Sequence, residues 1–135
     1  MEEKNKYQLK RNDLVYPELS YKVYGVLFDV FRKVGPGFLE KHYQKAIGIA
    51  LREVGLKVEE QLMVPLLFED KVIGKYFLDF LIENTVVLEI KKGDYYNKQN
   101  IDQVVAYLKA KKIKLGLIAN FTSHGVKIKR IINLK

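Results

Sequence analysis

The sequence predicts one α/β domain in which two helices precede three strands, a third helix and a further buried strand. Three observations support this fold class. Apolar side chains recur at three- and four-residue spacing in residues 20–54 and 97–112, which is the period of an amphipathic helix. Residues 58–92 consist of β-branched and aromatic runs separated by short polar turns, which is typical of strands. The length of 135 residues and the 48% apolar and 30% charged composition suit one packed domain.

The first part of the chain predicts an arm followed by two helices. Residues 1–18 are polar and lack a clear period, so we expect an N-terminal arm, with the domain itself spanning residues 19–135. Ser20 has the side chain of a typical N-cap and is expected to precede the first helix. The GPG segment at 35–37 ends that helix, because proline cannot continue it and glycine suits a helix end. The second helix is expected at about residues 38–55.

The remaining elements follow from turn signals and from the order of strands and helices. The three strands of residues 58–92 are expected to form a meander with turns at 69–71 and 83–85. The helix predicted at 97–112 leads to a short buried strand at 115–119. A strand, a helix and a strand in this order favour a right-handed parallel crossover. Residues 126–132 are expected to form a final edge strand.

The charge is distributed unevenly along the chain. The net charge is +8, and all 16 acidic residues precede Gln103. The basic residues after this point carry the whole excess; they are Lys109, Lys111, Lys112, Lys114, Lys127, Lys129, Arg130 and Lys135. A one-sided positive charge favours a polyanionic partner such as nucleic acid. A solvated basic surface is the alternative, and the charge alone leaves both open.

The composition excludes several kinds of site. The chain contains no Cys, which excludes disulfides, thiolate nucleophiles and thiolate zinc sites. Any metal must therefore be held by oxygen or by the only histidines, His42 and His124, which show no metal-ligand spacing. No apolar run approaches the roughly 20 residues of a membrane span, and the first residues do not resemble a signal peptide. We therefore expect a cytoplasmic protein.

Three charged residues interrupt two otherwise apolar strands. Asp79 lies in the strand around residues 75–82, and Glu89 and Lys91 lie in the next, at residues 86–91. Strands that are apolar on both faces are usually central in a covered sheet, where an ionised carboxylate is costly unless it is paired or metal-bound. A three-residue turn places Asp79 directly opposite Glu89. Lys91 shares their face, because side chains two residues apart in a strand point the same way.

Two facing carboxylates repel each other and favour a cation between them. We expect Mg²⁺ or Mn²⁺, since hard divalent ions prefer oxygen ligands, held by Asp79, Glu89 and the backbone carbonyl of Ile90. Lys91 would orient an attacking water or stabilise charge on a phosphorane. The alternative is a surface hairpin in which Lys91 and Lys75 pair with the two carboxylates. That arrangement would leave apolar side chains of the same face exposed.

The same residues carry a family resemblance. Asp79 followed by EIK at 89–91 resembles the D...(D/E)xK signature of the PD-(D/E)XK nuclease superfamily. The segment GFLEKHY at 37–43 resembles the motif that names the GxxExxY family, and the likeness extends over about residues 19–132. Further matching segments are VGPG at 34–37, YLKA at 107–110 and LGLIANF at 115–121. The proline that usually precedes the metal-binding Asp is replaced by Leu78.

The resemblance implies a restriction-endonuclease-like core, with a mixed β-sheet flanked by helices in the order α-α-β-β-β-α-β. It also implies that Glu40, on the early helix, supplies a further acidic group to the metal centre, often through water. Gln103 would face the site from the crossover helix, with Tyr107 one turn later on the same face and off the inward apolar stripe. The predicted catalytic residues are therefore Glu40, Asp79, Glu89, Lys91 and Gln103.

These observations together predict a metal-dependent nuclease that hydrolyses phosphodiester bonds in nucleic acid, with DNA favoured and Mg²⁺ or Mn²⁺ as the cofactor. The alternative is a non-catalytic nucleic-acid-binding or assembly module that keeps the nuclease fold. A homodimer paired near the final edge strand is compatible with both. The residues expected to contact nucleic acid are Lys92, Lys98, Lys109, Lys111, Lys112, Lys127, Lys129 and Arg130.

Overall fold

The computed structural model describes residues 15–134. Its elements in chain order are α1 (Pro17–Val34), α2 (Glu40–Glu53), β1 (Val58–Phe68), β2 (Lys71–Ile82), β3 (Val86–Lys92), α3 (Lys98–Lys111), β4 (Leu115–Phe121) and β5 (Val126–Ile132). The predicted α/β class, the order of the elements and the final strand are confirmed. The first 14 residues of the expected arm lie outside the described residues, whereas Val15 and Tyr16 pack against the core.

The five strands form one mixed sheet in the order β1-β2-β3-β4-β5. The first three strands are an antiparallel meander. β3 and β4 are parallel and are joined through α3, so the predicted parallel crossover is confirmed. β5 returns antiparallel to β4 and forms the far edge of the sheet. β3 is therefore a central strand, and its residues from Val86 to Ile90 are all buried.

Helices cover both faces of the sheet and create two apolar cores. α1 and α2 pack on one face in a core that includes Leu27, Ile47 and Leu88. α3 packs in a second core, which includes Leu108 and Val87. Val87 and Leu88 are consecutive in β3, and consecutive strand residues point to opposite faces. Within residues 15–134, none of the helices has the length and apolar character needed to cross a membrane.

The predicted N-cap at Ser20 is wrong, because α1 begins one turn earlier. Tyr16 is the N-cap residue, with a left-handed backbone (φ 49°), and Pro17 opens the helix. Proline suits this position because its fixed φ is helical and its missing N–H would have no partner in the helix. Ser20 is instead buried inside the helix and donates its hydroxyl to the carbonyl of Pro17 (3.2 Å).

α3 packs closely against β4 at Gly116. A Cβ atom built there would lie 2.8 Å from Cγ1 of Val104 and 3.2 Å from Cδ1 of Leu108. We expect Gly116→Ala to lower the free energy of unfolding by about 1–3 kcal/mol, because the α3 layer must shift. Urea unfolding followed by circular dichroism measures this change.

The matched control is Gly25→Ala in the middle of α1, where a new Cβ would meet nothing within 4 Å. This substitution should raise the free energy of unfolding by up to about 1 kcal/mol, since alanine favours a helix more than glycine does. Equal effects of the two substitutions would contradict the close packing of α3 on β4.

Candidate active site

Asp79 and Glu89 lie where β2 and β3 separate. The two strands pair at Phe80 with Leu88 and at the next two positions toward the turn, so the predicted register is confirmed. Beyond this point the backbone groups of the two strands no longer pair with each other, and the two carboxylates accept backbone N–H groups of these strands instead. Asp79 Oδ2 accepts the N–H of Ile90 (2.7 Å), and Glu89 Oε1 accepts the N–H of Asp79 (3.0 Å). We call Asp79, Glu89 and Ile90 the strand fork.

The pairing between β1 and β2 is interrupted at Asp79, and this interruption turns Asp79 toward β3. The β1–β2 register pairs Glu60 with Phe80 and Leu62 with Leu78 but omits Gln61 and Asp79. The backbone of Gln61 is left-handed there (φ 57°). Leu78 and Phe80 belong to different cores, although residues two apart in a regular strand share a face. The strand therefore twists at Asp79.

Each fork carboxylate also accepts a hydrogen bond from a side-chain amide on a helix. Gln44 on α2 donates to Asp79 Oδ1 (3.0 Å), and Asn100 on α3 donates to Glu89 Oε2 (2.9 Å). Sequence reasoning missed both amides. The available signal was their helical spacing, since Gln44 follows Glu40 by one turn and Asn100 lies one turn before Gln103. The two helix layers thus hold the fork from opposite faces of the sheet.

Lys91 and Glu40 complete the site. The Lys91 Nζ lies 3.7 Å from Glu89 Oε2 and 3.8 Å from Glu40 Oε2. Glu40 Oε2 also accepts the amide of Gln44 (3.4 Å), and its Oε1 accepts the backbone N–H of Lys92 (3.2 Å). Glu40 therefore reaches the fork through Gln44 and Lys91.

The surface-hairpin alternative is wrong about exposure and about Lys75, whereas its pairing of Lys91 with Glu89 is present. Asp79 and Glu89 are only 6% and 3% exposed, so they are buried acids and not solvated ion pairs. Lys75 is not paired with either of them; its Nζ lies over the ring of Phe77, 5.8 Å from the centroid. The two carboxylates must therefore be stabilised inside the protein.

The electrostatic environment disfavours two negative charges at the fork. The pKa of Asp79 is raised to about 8, because burial and the charge of Glu89 raise it by more than the N–H of Ile90 and the charge of Lys91 lower it. At neutral pH the pair therefore holds a proton unless another cation takes its place.

Tyr43 fixes the start of α2, where Glu40 lies. Its hydroxyl donates to the carbonyl of Gly35 (2.6 Å) and accepts the N–H of Phe38 (3.4 Å). Its ring stacks on Phe121 with 4.3 Å between centroids. Gly35 has a positive φ of 84°, which glycine adopts without steric cost. The loop between α1 and α2 is thus anchored to the core.

The crossover helix brings one of its two predicted residues to the site. Gln103 lines a cavity together with Lys91 and Lys92, and its backbone carbonyl accepts a hydrogen bond from the hydroxyl of Tyr76 (3.1 Å). The predicted position of Tyr107 off the inward stripe is wrong, because Tyr107 is buried in the second core.

The structure places Lys92 beside the fork and spreads the other predicted nucleic-acid-binding residues over α3, the residue after it and β5. Lys92 directly follows Lys91 and is exposed, and Lys98 begins α3 but pairs with Asp102 (2.9 Å). The other α3 lysines are exposed at the C-terminal end of the helix or just after it; they are Lys109, Lys111 and Lys112. At 1.5 Å per residue, this end is roughly 16–20 Å from the start of the helix.

The basic residues of β5 make contacts elsewhere in the domain. The half-buried Arg130 donates to the hydroxyl of Tyr24 (2.8 Å) and to the carbonyl of Val15 (3.0 Å). Lys127 donates to the carbonyl of Asp94 (2.8 Å). The Lys129 Nζ lies 5.8 Å from the centroid of the Tyr96 ring. These residues support the α1 side and the loop after β3.

Comparison with known proteins identifies the family. The profile of the PD-(D/E)XK nuclease superfamily matches residues 17–131. This chain belongs to the PD-(D/E)XK nuclease superfamily. The match covers most of the chain and includes every residue of the fork.

A comparison with solved structures finds a similar fold. The crystal structure of SSO0001 is similar, with a TM-score of 0.52 and 16% identity over 69% of this chain and 50% of that chain. The present chain thus matches half the length of SSO0001, and the likeness concerns the fold alone. The curated proteins contain no significant match.

PD-(D/E)XK nucleases generally use divalent metals, so we tested the fork as a cation site. Within residues 15–134, no three His, Cys, Asp or Glu side chains are arranged to hold a metal ion. The chemistry of the donors nevertheless fits Mg²⁺, which often binds one or two carboxylates and keeps several waters. Asp79, Glu89 and the Ile90 carbonyl are oxygen donors of this kind. Their backbone bonds orient the carboxylates, and each carboxylate oxygen retains a second lone pair.

The anchor at Tyr43 can be tested by stability. Tyr43→Phe removes the hydroxyl between Gly35 and Phe38 and keeps the ring on Phe121. We expect the free energy of unfolding to fall by about 1 kcal/mol, because two backbone groups lose a hydrogen-bond partner. Urea unfolding measures the change, with Tyr21→Phe, whose side chain is 62% exposed, as the control. A loss no larger than that of the control would contradict the anchor.

Proposed function

We propose that this protein is a metal-dependent nuclease of the GxxExxY group that hydrolyses phosphodiester bonds in nucleic acid, with DNA as the favoured substrate. One observation carries the proposal: two buried carboxylates, Asp79 and Glu89, are tied to each other's strands at a point where Lys91 reaches them. Membership in the nuclease superfamily supports the reaction class. The cytoplasmic location and the homodimer expected from the sequence stay predictions.

The fork residues have distinct roles in this proposal. Asp79, Glu89 and the carbonyl of Ile90 would hold Mg²⁺ or Mn²⁺. When bound, such an ion polarises the phosphate and lowers the pKa of water, which supplies a nucleophile near neutral pH. The amides of Gln44 and Asn100 keep the two carboxylates in place, as in other metal sites whose ligands are themselves hydrogen-bonded.

Lys91 is suited to meet the substrate. Its Nζ is 3.7 and 3.8 Å from two different carboxylates, so neither contact is a short hydrogen bond. Its side chain is 36% exposed, which allows it to turn toward a phosphate. We assign Lys91 to hold the attacking water or to stabilise the negative charge that develops on phosphorus oxygens. Glu40 and Gln103 would position water and substrate around it.

The second candidate function is a nucleic-acid-binding module without turnover. The absence of a three-carboxylate cluster within residues 15–134 favours it. Such a module would bind nucleic acid with a strong salt dependence and would not cleave it. Cleavage assays separate the two functions.

Divalent ions should stabilise the protein through the fork. We expect Mn²⁺ or Mg²⁺ at 100 times its dissociation constant to raise the free energy of unfolding by about 2.7 kcal/mol. Differential scanning calorimetry in EDTA and in MnCl₂ measures this shift. Asp79→Asn should abolish most of it, and Asp102→Asn, at an exposed carboxylate of α3, should keep it. An equal shift in both variants would place the ion elsewhere.

Cleavage should depend on the same carboxylate and on Lys91. With Mg²⁺ or Mn²⁺, we expect the parent to cut plasmid or oligonucleotide DNA. Asp79→Asn and Lys91→Met should each lower the rate by about 10²-fold or more, the scale of losing one group that stabilises the transition state. Asp102→Asn and Lys33→Met, at an exposed lysine of α1, are the matched controls. Equal rates in all five proteins would refute the proposed site, and binding without cleavage by the parent would favour the second candidate.

A further inference from the structure

We infer that the phosphate backbone of the substrate crosses the strand fork from Lys41 and Lys45 on α2 to Lys91 and Lys92 at the end of β3. It does not follow the basic segment after Gln103. This inference rests on the proposed nuclease function and specifies the surface that holds its substrate.

Two cavities each include a residue that is hydrogen-bonded to the fork. One opens on the α2 side and one on the α3 side, and each has a volume of about 390 Å³. Gln44 lines the first cavity and Asn100 lines the second. These are the amides that donate to Asp79 and Glu89. A strand of nucleic acid that spans the two cavities would therefore pass the amides that hold the two carboxylates.

The α2 cavity provides two uncompensated positive charges. Lys41 and Lys45 are exposed, lie one helical turn apart and line this cavity. Neither lysine forms an ion pair with any residue in the described range 15–134. Arg52 also lines the cavity, but it pairs with Glu60 (2.6 Å). The field of the two lysines is therefore available to a polyanion.

The α3 cavity contains hydrogen-bond donors and no acidic side chain among its lining residues. Lys91 and Lys92 form one wall, and amide side chains of the first turns of α3 form another. Tyr95, which is 88% exposed, stands at its edge. Lys91 and Asn100 also contact Glu89, but Lys92 and the other amides are donors that suit phosphate oxygens. An exposed aromatic ring beside them suits an unstacked base.

The wall of the α3 cavity is fixed by the sheet. Asn120, buried on β4, donates its side-chain amide to the carbonyls of Gly93 (3.1 Å) and Tyr95 (2.8 Å). The N–H of Gly93 donates to the carbonyl of Phe121 (3.1 Å), and Lys127 donates to the carbonyl of Asp94. Lys127 is thus engaged in holding the loop that carries Tyr95.

Nucleic-acid binding by paired substitutions tests the path. The full-length protein is titrated against a fluorescently labelled 20-base-pair DNA duplex in EDTA, which prevents metal-dependent cleavage, at several NaCl concentrations. Lys41→Gln with Lys45→Gln removes two charges from the proposed path. Lys109→Gln with Lys111→Gln removes two charges from the end of α3. Both pairs are exposed helical residues, and glutamine retains good helix propensity, so both variants should fold.

The slope of log affinity against log salt is negative, and we expect the first pair to reduce its magnitude by about 2 and to weaken binding about tenfold or more at 0.1 M salt. Lys92→Gln alone should reduce the magnitude of the slope by about 1. The second pair should leave the slope unchanged. A smaller magnitude for the second pair, or an unchanged slope for the first, would overturn the inferred path and leave the nuclease proposal intact. A parent that fails to bind DNA even at low salt would instead count against the proposed function, which the cleavage assay tests independently.

Discussion

The reciprocal bonds at the strand fork are the interaction on which the rest of the site depends. An antiparallel pair normally satisfies its backbone groups by N–H to carbonyl bonds. Where β2 and β3 separate, the carboxylates of Asp79 and Glu89 accept N–H groups of Ile90 and Asp79 instead. Buried N–H groups without partners are costly. The sheet can therefore open at this point only because acidic side chains occupy the opening.

In this arrangement the two acids complete the hydrogen bonding of the sheet, but the repulsion between their negative charges remains. Backbone N–H groups and the amides of Gln44 and Asn100 satisfy their oxygens, yet hydrogen bonds from neutral donors do not remove two like charges. Lys91 compensates part of the charge from the edge of the site. The negative charge that Lys91 does not compensate is a consequence of the fold of the sheet, and a hard divalent cation is a suitable counterion for it.

The sequence predicted the sheet and the central pair because these depend on local rules. A three-residue turn and the two-residue period of strands place Asp79 across from Glu89. The amides could not be predicted in this way, since Gln44 and Asn100 are common residues on helix surfaces until the tertiary fold directs them inward. Ser20 failed as an N-cap because Pro17 competes for the start of the same helix. The contacts of Arg130 and Lys127 within the domain could not be predicted for a similar reason, because proximity in sequence says nothing about tertiary contacts.

Because the two amides come from different helix layers, the geometry of the site depends on both layers being folded. Gln44 comes from the layer packed on one face of the sheet, and Asn100 from the layer on the other. A species in which either layer has opened would lose one of the bonds that orient the carboxylates and would expose the fork to water. Such partly opened states are a normal part of native ensembles. In the proposed nuclease, the chemistry of the fork would be confined to molecules in which both layers are closed, so that activity would report the cooperative assembly of both layers on the sheet.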